Sequence, residues 1–161
     1  MNSLRGACLF GGKDAITALL ATGTDINEIG DGSTSLSFMV RIGDIDTATF
    51  LLDNGALQIP DNDGFTPLHW AAMCGYENIA ALLLARGGDV NAVDTNDETP
   101  LHIAALKRGQ PGVLRFLISN GANVYARNNN GKTPFEVAIN KEIQDILRPY
   151  MDEEVKEPET E

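Results

Sequence analysis

The stretch 61–93, DNDGFTPLHWAAMCGYENIAALLLARGGDVNAV, decides the fold. Gly64 permits the positive φ of a tight turn. Thr66 can cap a helix through its hydroxyl, and Pro67 suits a first helical position, where no N–H is needed. Leu68, Ala71 and Ala72 follow at helical spacing, and Gly75 interrupts them. Ile79, Leu82 and Leu83 make the apolar stripe of a second helix, which Gly87 ends at the C′ position. The stretch therefore predicts a loop, a helix, a turn and a second helix. Neither helix is long enough to bury its apolar face alone.

The unit recurs. TPLHIAA at 99–105 repeats the central motif after 33 positions, TPFEVA at 133–138 after 34 more, and TSLS at 34–37 lies 32 positions upstream of it. The glycine that ends the second helix returns as Gly23, Gly55, Gly87 and Gly121. A period of this size signals units stacked in a line, each covering its neighbour's face.

These residues resemble the ankyrin repeat family from Leu4 to about Tyr150, most strongly over 61–93 and 94–127. The resemblance implies an all-α solenoid of about five stacked helix-turn-helix units, joined by β-turn or hairpin loops, with a concave binding face. The units fall at 1–28, 29–60, 61–93, 94–127 and 128–150, making a repeat domain over 1–150, and an acidic tail follows at 151–161. Thr66, Pro67, His69, Thr99, Pro100, His102, Thr133 and Pro134 carry the family signature.

The outer units depart from the pattern, as terminal repeats do where one face meets water. The first lacks its opening loop; Leu4, Ala7 and Cys8 make its first helix and Ile16, Leu19 and Leu20 its second. The second unit replaces proline and histidine with Ser35 and Ser37, and the two alanines with the bulkier Met39 and Val40. The fourth has Asp97 in place of the turn glycine and a longer inter-helix loop around Gln110. In the fifth, Glu136 stands where the histidine would be, and Pro149 is expected to stop the last helix.

Charge narrows the partner class. The chain of 161 residues carries a formal net charge of −11. Residues 1–85 hold three basic side chains, Arg5, Lys13 and Arg41, against ten acids, and residues 152–161 hold six acids and Lys156. Phosphate neutralisation needs a basic face, so nucleic acid is not an expected ligand; a protein with a basic surface fits better. No apolar run approaches the ~18 residues of a membrane span, and the N-terminus lacks the form of a secretory signal. Cys8 and Cys74 are too few for a disulfide framework, so we expect reduced thiols and a cytoplasmic or nuclear protein.

Catalytic constellations are weak. His69 and His102 lie one period apart, and a catalytic or metal site would need acid or Cys partners converging on them. The family resemblance implies that each instead bonds its own helix start to the backbone of a neighbouring loop. Asp61-Asn62-Asp63-Gly64 lacks the downstream glutamate of a calcium loop. There is neither a phosphate-binding loop of Walker type nor a nucleophile elbow. We therefore expect no cofactor, no metal and no enzymatic activity. Asn91, in DVNA after Leu83, resembles the asparagine that ankyrin-directed hydroxylases modify; Asn27 resembles it less. A turn asparagine bonding its own backbone is the other reading.

The family resemblance places the binding surface on loop tips and the inner face of each first helix. On the loops this gives Phe65, Glu98 and Lys132, together with Ser33. On the helices it gives Leu9 and Phe10, Arg41 and Ile42, then Trp70, Met73 and Cys74, and finally Leu106 and Lys107. Large apolar side chains in this set would make an exposed strip that a folded monomer seldom shows without a partner. Trp70 has an alternative role, packed between neighbouring helices. The sequence thus predicts a non-catalytic adaptor, scaffold or inhibitor, monomeric by itself, gripping another protein. A second reading is a regulatory subunit whose acidic tail and acidic N-terminal half mask a basic site on a partner.

Overall fold

The computed structural model describes residues 3–106 and 110–151. Lys107 and the tail 152–161, on which expectations were placed, lie outside the described residues. In chain order the elements begin with α1 (Leu4–Gly6), a π-helical turn (Ala7–Gly11) and α2 (Gly12–Ala21). A two-stranded hairpin follows, β1 (Ile29–Gly30) and β2 (Ser33–Thr34). The remaining helices come in pairs: α3 (Ser35–Ile42) with α4 (Ile45–Asp53), α5 (Pro67–Cys74) with α6 (Glu77–Ala85), α7 (Pro100–Leu106) with α8 (Pro111–Ser119), and α9 (Pro134–Val137) with α10 (Lys141–Met151).

The threonine signal does what its chemistry predicts. Thr34, Thr66 and Thr133 each accept, on the side-chain oxygen, the N–H three residues on, at 3.2, 3.4 and 3.3 Å. Thr99 does the same before α7 at 3.4 Å. Each hydroxyl satisfies one of the N–H groups a helix start leaves without a partner.

Packing runs between consecutive units. The first helices of the pairs pack in series, α3 on α5, α5 on α7 and α7 on α9, and the second helices do likewise from α2 to α10. Leu36, Leu68 and Leu101 of the first helices and Leu51, Leu83 and Leu117 of the second are fully buried. Each contributes about 1.5–3 kcal/mol by leaving water. Ala71, Ala72, Ala104 and Ala105 are buried where the helices lie close, and Met39 and Val40 fill the corresponding places of the second unit without exposure.

The loops stack too. β1 and β2 pair antiparallel, Ile29 with Thr34 and Gly30 with Ser33, and Asp31 and Gly32 turn between them at φ of 51° and 81°. Both central residues at positive φ suit a tight hairpin. Asp97 reaches φ 58° where the third unit has Gly64 at 79°, a conformation aspartate tolerates better than most residues. Backbone bonds then link successive tips: Asn62 donates to Gly32 O at 3.2 Å, Thr95 to Asp63 O at 3.1 Å and Asn129 to Asn96 O at 2.9 Å.

Two local expectations need correcting. Pro149 does not stop the last helix; α10 continues to Met151. A proline this near the C-terminus removes a single helical bond, and the Tyr125 hydroxyl donates to the Tyr150 carbonyl, holding the last turn. In the first unit no loop separates the two helices. The π-helical turn runs directly into α2, with Gly12 at φ 64° reversing the chain. Gly11 lies against Ala15 so closely that a Cβ there would sit 2.5 Å from the Ala15 Cβ.

Candidate functional site

The two histidines occupy matching, sealed environments. Both are fully buried. Nδ1 of His69 accepts the Thr66 N–H at 3.1 Å, and Nδ1 of His102 accepts the Thr99 N–H at 3.1 Å. A backbone N–H can only donate, so the proton sits on Nε2. From there His69 donates to the Glu98 carbonyl and His102 to the Lys132 carbonyl, each at 2.9 Å. Burial holds the His69 pKa below its ordinary 6.5. These rings join one unit to the hairpin of the next.

Arg5 does the same work, and sequence reasoning missed it. It stands 32 residues before Ser37 and 64 before His69, at the same place in the repeat. Its Nη2 donates to the Ser33 carbonyl at 2.7 Å and to the Gly30 carbonyl, and Nη1 pairs with Asp31 at 3.2 Å. Ser33, Glu98 and Lys132 are equivalent positions, so an arginine and two histidines reach the same acceptor. The signal was present in the period, but an arginine does not match the motif by residue type. Ser37, at this place in the second unit, bonds within its own cap, accepting the Thr34 hydroxyl at 3.3 Å. In the fifth unit Glu136 accepts the Thr133 N–H at 2.7 Å. That bond holds its carboxyl below the usual carboxylate range.

Asparagines tie the opposite edge. Asn91 accepts the Asn123 N–H at 2.7 Å and donates to the Gly121 carbonyl at 3.2 Å. Asn27 accepts the Leu57 N–H at 2.8 Å. The second unit has Ile59 at this place, and Gln58 substitutes, donating to the Leu83 and Arg86 carbonyls at 2.9 and 3.2 Å. Asn91 therefore bonds the following unit's backbone.

The predicted recognition residues divide by exposure. Phe10 is 79% exposed, Ile42 46% and Leu9 40%, and they lie at the ends of the first helical segments of the first two units. Arg41, preceding Ile42 in α3, is exposed as well, its guanidinium 4.9 Å from the Phe38 ring centre and 5.4 Å from that of Trp70. Lys132 is exposed; Phe65, Met73, Cys74, Glu98 and Leu106 are half-buried. Trp70 is half-buried as well: its Nε1 donates to Asp61 at 3.0 Å, and its ring lies 5.2 Å from that of Phe65. Trp70 and Arg41 wall a cleft of about 230 Å³ between the hairpin tips, with Asp31, Asp61 and Asp63 at its rim.

Neither cysteine resembles an activated nucleophile. Cys8 is buried, and burial pushes its thiol up to about 11. The half-buried Cys74 is also raised by burial, and its Sγ lies 3.7 Å from the Arg41 carbonyl. Among the described residues no three His, Cys, Asp or Glu side chains gather where they would hold a metal ion, and no helix is long and apolar enough to cross a membrane.

Comparison with known proteins matches this geometry. A family profile described as ankyrin repeats (3 copies) matches residues 4–94, and a second, ankyrin repeats (many copies), matches residues 83–138. Alpha-latrotoxin-Lh1a of Latrodectus hasselti is 45% identical over 58 residues, 35% of this chain and 4% of the toxin. Putative palmitoyltransferase ZDHHC13 of Danio rerio is 32% identical over 107 residues, 65% of this chain and 17% of that protein. Human Rabankyrin-5 is 40% identical over 68 residues, 42% of this chain and 6% of its own. The chain thus spans a small part of each relative, and the resemblance to enzymes runs through their repeats. With its capped helix pairs, joined hairpins and matching period, the chain belongs to the ankyrin repeat family.

Proposed function

We propose that this protein-interaction module works without catalysis, as an adaptor, scaffold or inhibitor that holds one partner protein along the first-helix side of its stack. One observation carries the reading: Phe10, Ile42 and Leu9 expose apolar surface on successive units, and Arg41, which precedes Ile42, holds its guanidinium on the Phe38 and Trp70 rings. Exposed apolar groups of this size on adjacent units favour a docking partner. The acids of residues 1–85 favour a partner with a basic surface and speed its approach at low salt. Two free thiols, too few for a disulfide framework, fit a reducing compartment, the cytoplasm or nucleus.

The test is affinity capture from the native source, comparing wild type with a Phe10→Ala/Ile42→Ala double variant. Both side chains are exposed, so the variant should keep its helical circular dichroism while losing the captured partner. Equal capture by both proteins would reject this surface. The Phe65/Trp70 pair is a poorer probe, because Trp70 also bonds Asp61.

A further inference from the structure

The first-helix face repeats itself. Leu9, Arg41, Met73 and Leu106 occupy one place in four successive units, and Phe10, Ile42 and Cys74 the next place along. The helices that carry them pack in series. Equivalent side chains therefore recur along the stack at the spacing of packed helices, about 10 Å. Leu9, Phe10 and Ile42 are exposed, and Met73 and Leu106 are half-buried. The row is apolar except at Arg41, whose guanidinium lies on the Phe38 and Trp70 rings.

A second row runs beside it. Each of three successive hairpin tips carries an exposed aspartate, Asp31, Asp63 and Asp97, and Asp61 and Glu98 add two half-buried carboxylates. Backbone bonds from Asn62 to Gly32 O and from Thr95 to Asp63 O hold these tips one above another, so the acids share the pitch of the helices. The two rows border one cleft, where Arg41 and Trp70 form the wall and Asp31, Asp61 and Asp63 the rim. Arg5 pairs with Asp31, but Asp61, Asp63, Asp97 and Glu98 form no ion pair among the described residues.

Resting on the reading of this face as a docking surface, we propose that its occupant is an amphipathic helix of the partner, laid along the stack. Its apolar stripe meets the first helices, and a flank of lysine or arginine meets the tips. Pitch selects the helix. Residues seven apart on an α-helix lie about 10.5 Å apart on nearly the same face, so one side chain can meet each unit. On an extended strand, same-face residues are about 6.6 or 13 Å apart, and neither spacing keeps step with the units. Charge selects the flank. Carboxylates without counter-ions at one tip after another attract cations that recur with the same seven-residue interval. The sign changes at the last tip, where exposed Lys132 stands, so the basic flank covers the second to fourth units and goes no further.

Selection from a displayed library of random peptides about 24 residues long, enough helix to pass three units, tests this against the full 161-residue chain. Selected sequences should carry apolar residues seven apart beside lysine or arginine at the same interval. The peptides should gain helical circular dichroism on binding. Asp63→Asn/Asp97→Asn is an isosteric change at two exposed positions, so it should keep the wild-type melting temperature. It should weaken the selected peptides about tenfold at low salt and reduce the salt dependence of binding. Phe10→Ala/Ile42→Ala should weaken them about tenfold or more. Selected peptides that bind extended or are acidic overturn the proposal, as do an empty selection and binding indifferent to the two aspartates. A native partner whose capture depends on Phe10 and Ile42 but not on Asp63 and Asp97 leaves the docking surface standing and removes the basic helix alone.

Discussion

Asn91 accepts the backbone N–H of Asn123 at 2.7 Å, tying the third unit to the fourth. Its side-chain amide also donates to Gly121 O. Asn91→Ala removes both bonds and should destabilise the fold by about 1–2 kcal/mol. Chemical denaturation reads this directly. Asn91→Asp, which keeps the acceptor and loses the donor, should fall between alanine and wild type.

His69 predicts a dependence on pH. Its pKa in the folded chain lies below the ordinary 6.5, because burial disfavours the imidazolium. Below the ordinary value the unfolded chain takes up a proton that the folded chain refuses. The stabilisation is therefore complete above pH 6.5 and is lost progressively as pH falls toward the folded pKa. Protonation would also place a hydrogen on Nδ1, against the Thr66 N–H it now accepts. Urea unfolding measured from pH 8 down to pH 5 should show midpoints that fall with acid. In His69→Ala the acid-sensitive part should shrink, alongside a loss of about 2–3 kcal/mol at neutral pH, because the Glu98 carbonyl loses its buried donor.

Arg5→Ala should loosen the first unit selectively. The arginine is the side-chain link from α1 to the β1–β2 hairpin, with two carbonyls and one carboxylate on its guanidinium. Amide exchange should speed up over residues 3–34 and change little beyond α5. Arg5→Lys should not restore protection, because an ammonium cannot span the same forked set of acceptors. Uniform loss of protection along the chain would contradict this local role.

Leu83→Ala should cost about 2–5 kcal/mol, the range for emptying a fully buried leucine site. Leu19→Ala, at the equivalent place in the first unit, should cost clearly less, since part of that side chain is already in water. Thermal melts of the two variants side by side check the contrast.

Most of the architecture could be read from residue types at fixed spacing. Threonine caps, first-turn prolines and closing glycines act locally, so their signals survive without tertiary information. What escaped were substitutions that keep a role while changing the residue. Arg5 does the work of a histidine, and Gln58 does the work of an asparagine one residue away from its expected place. Pro149 misled for a related reason: the signal to end a helix was real, but the Tyr125 hydroxyl holds the last turn from another unit. On the recognition surface, sequence named Trp70 and Phe10 together. The structure leaves Phe10 exposed and Trp70 half-buried with a hydrogen bond to Asp61, and no pattern of spacing foretells that bond.

Arg5, His69 and His102 each make a cross-link that ends on a main-chain oxygen, those of Ser33, Glu98 and Lys132. Every amino acid owns that atom. The main-chain part of these joints therefore accepts any side chain at positions 33, 98 or 132, where a hydroxyl, a carboxylate and an ammonium stand in turn; Ser33 and Glu98 add side-chain acceptors of their own, for Arg5 at 3.2 Å and Asn128 at 3.3 Å. Residues at these tips can be exchanged to suit a new target while the main-chain joinery behind them stays as it is.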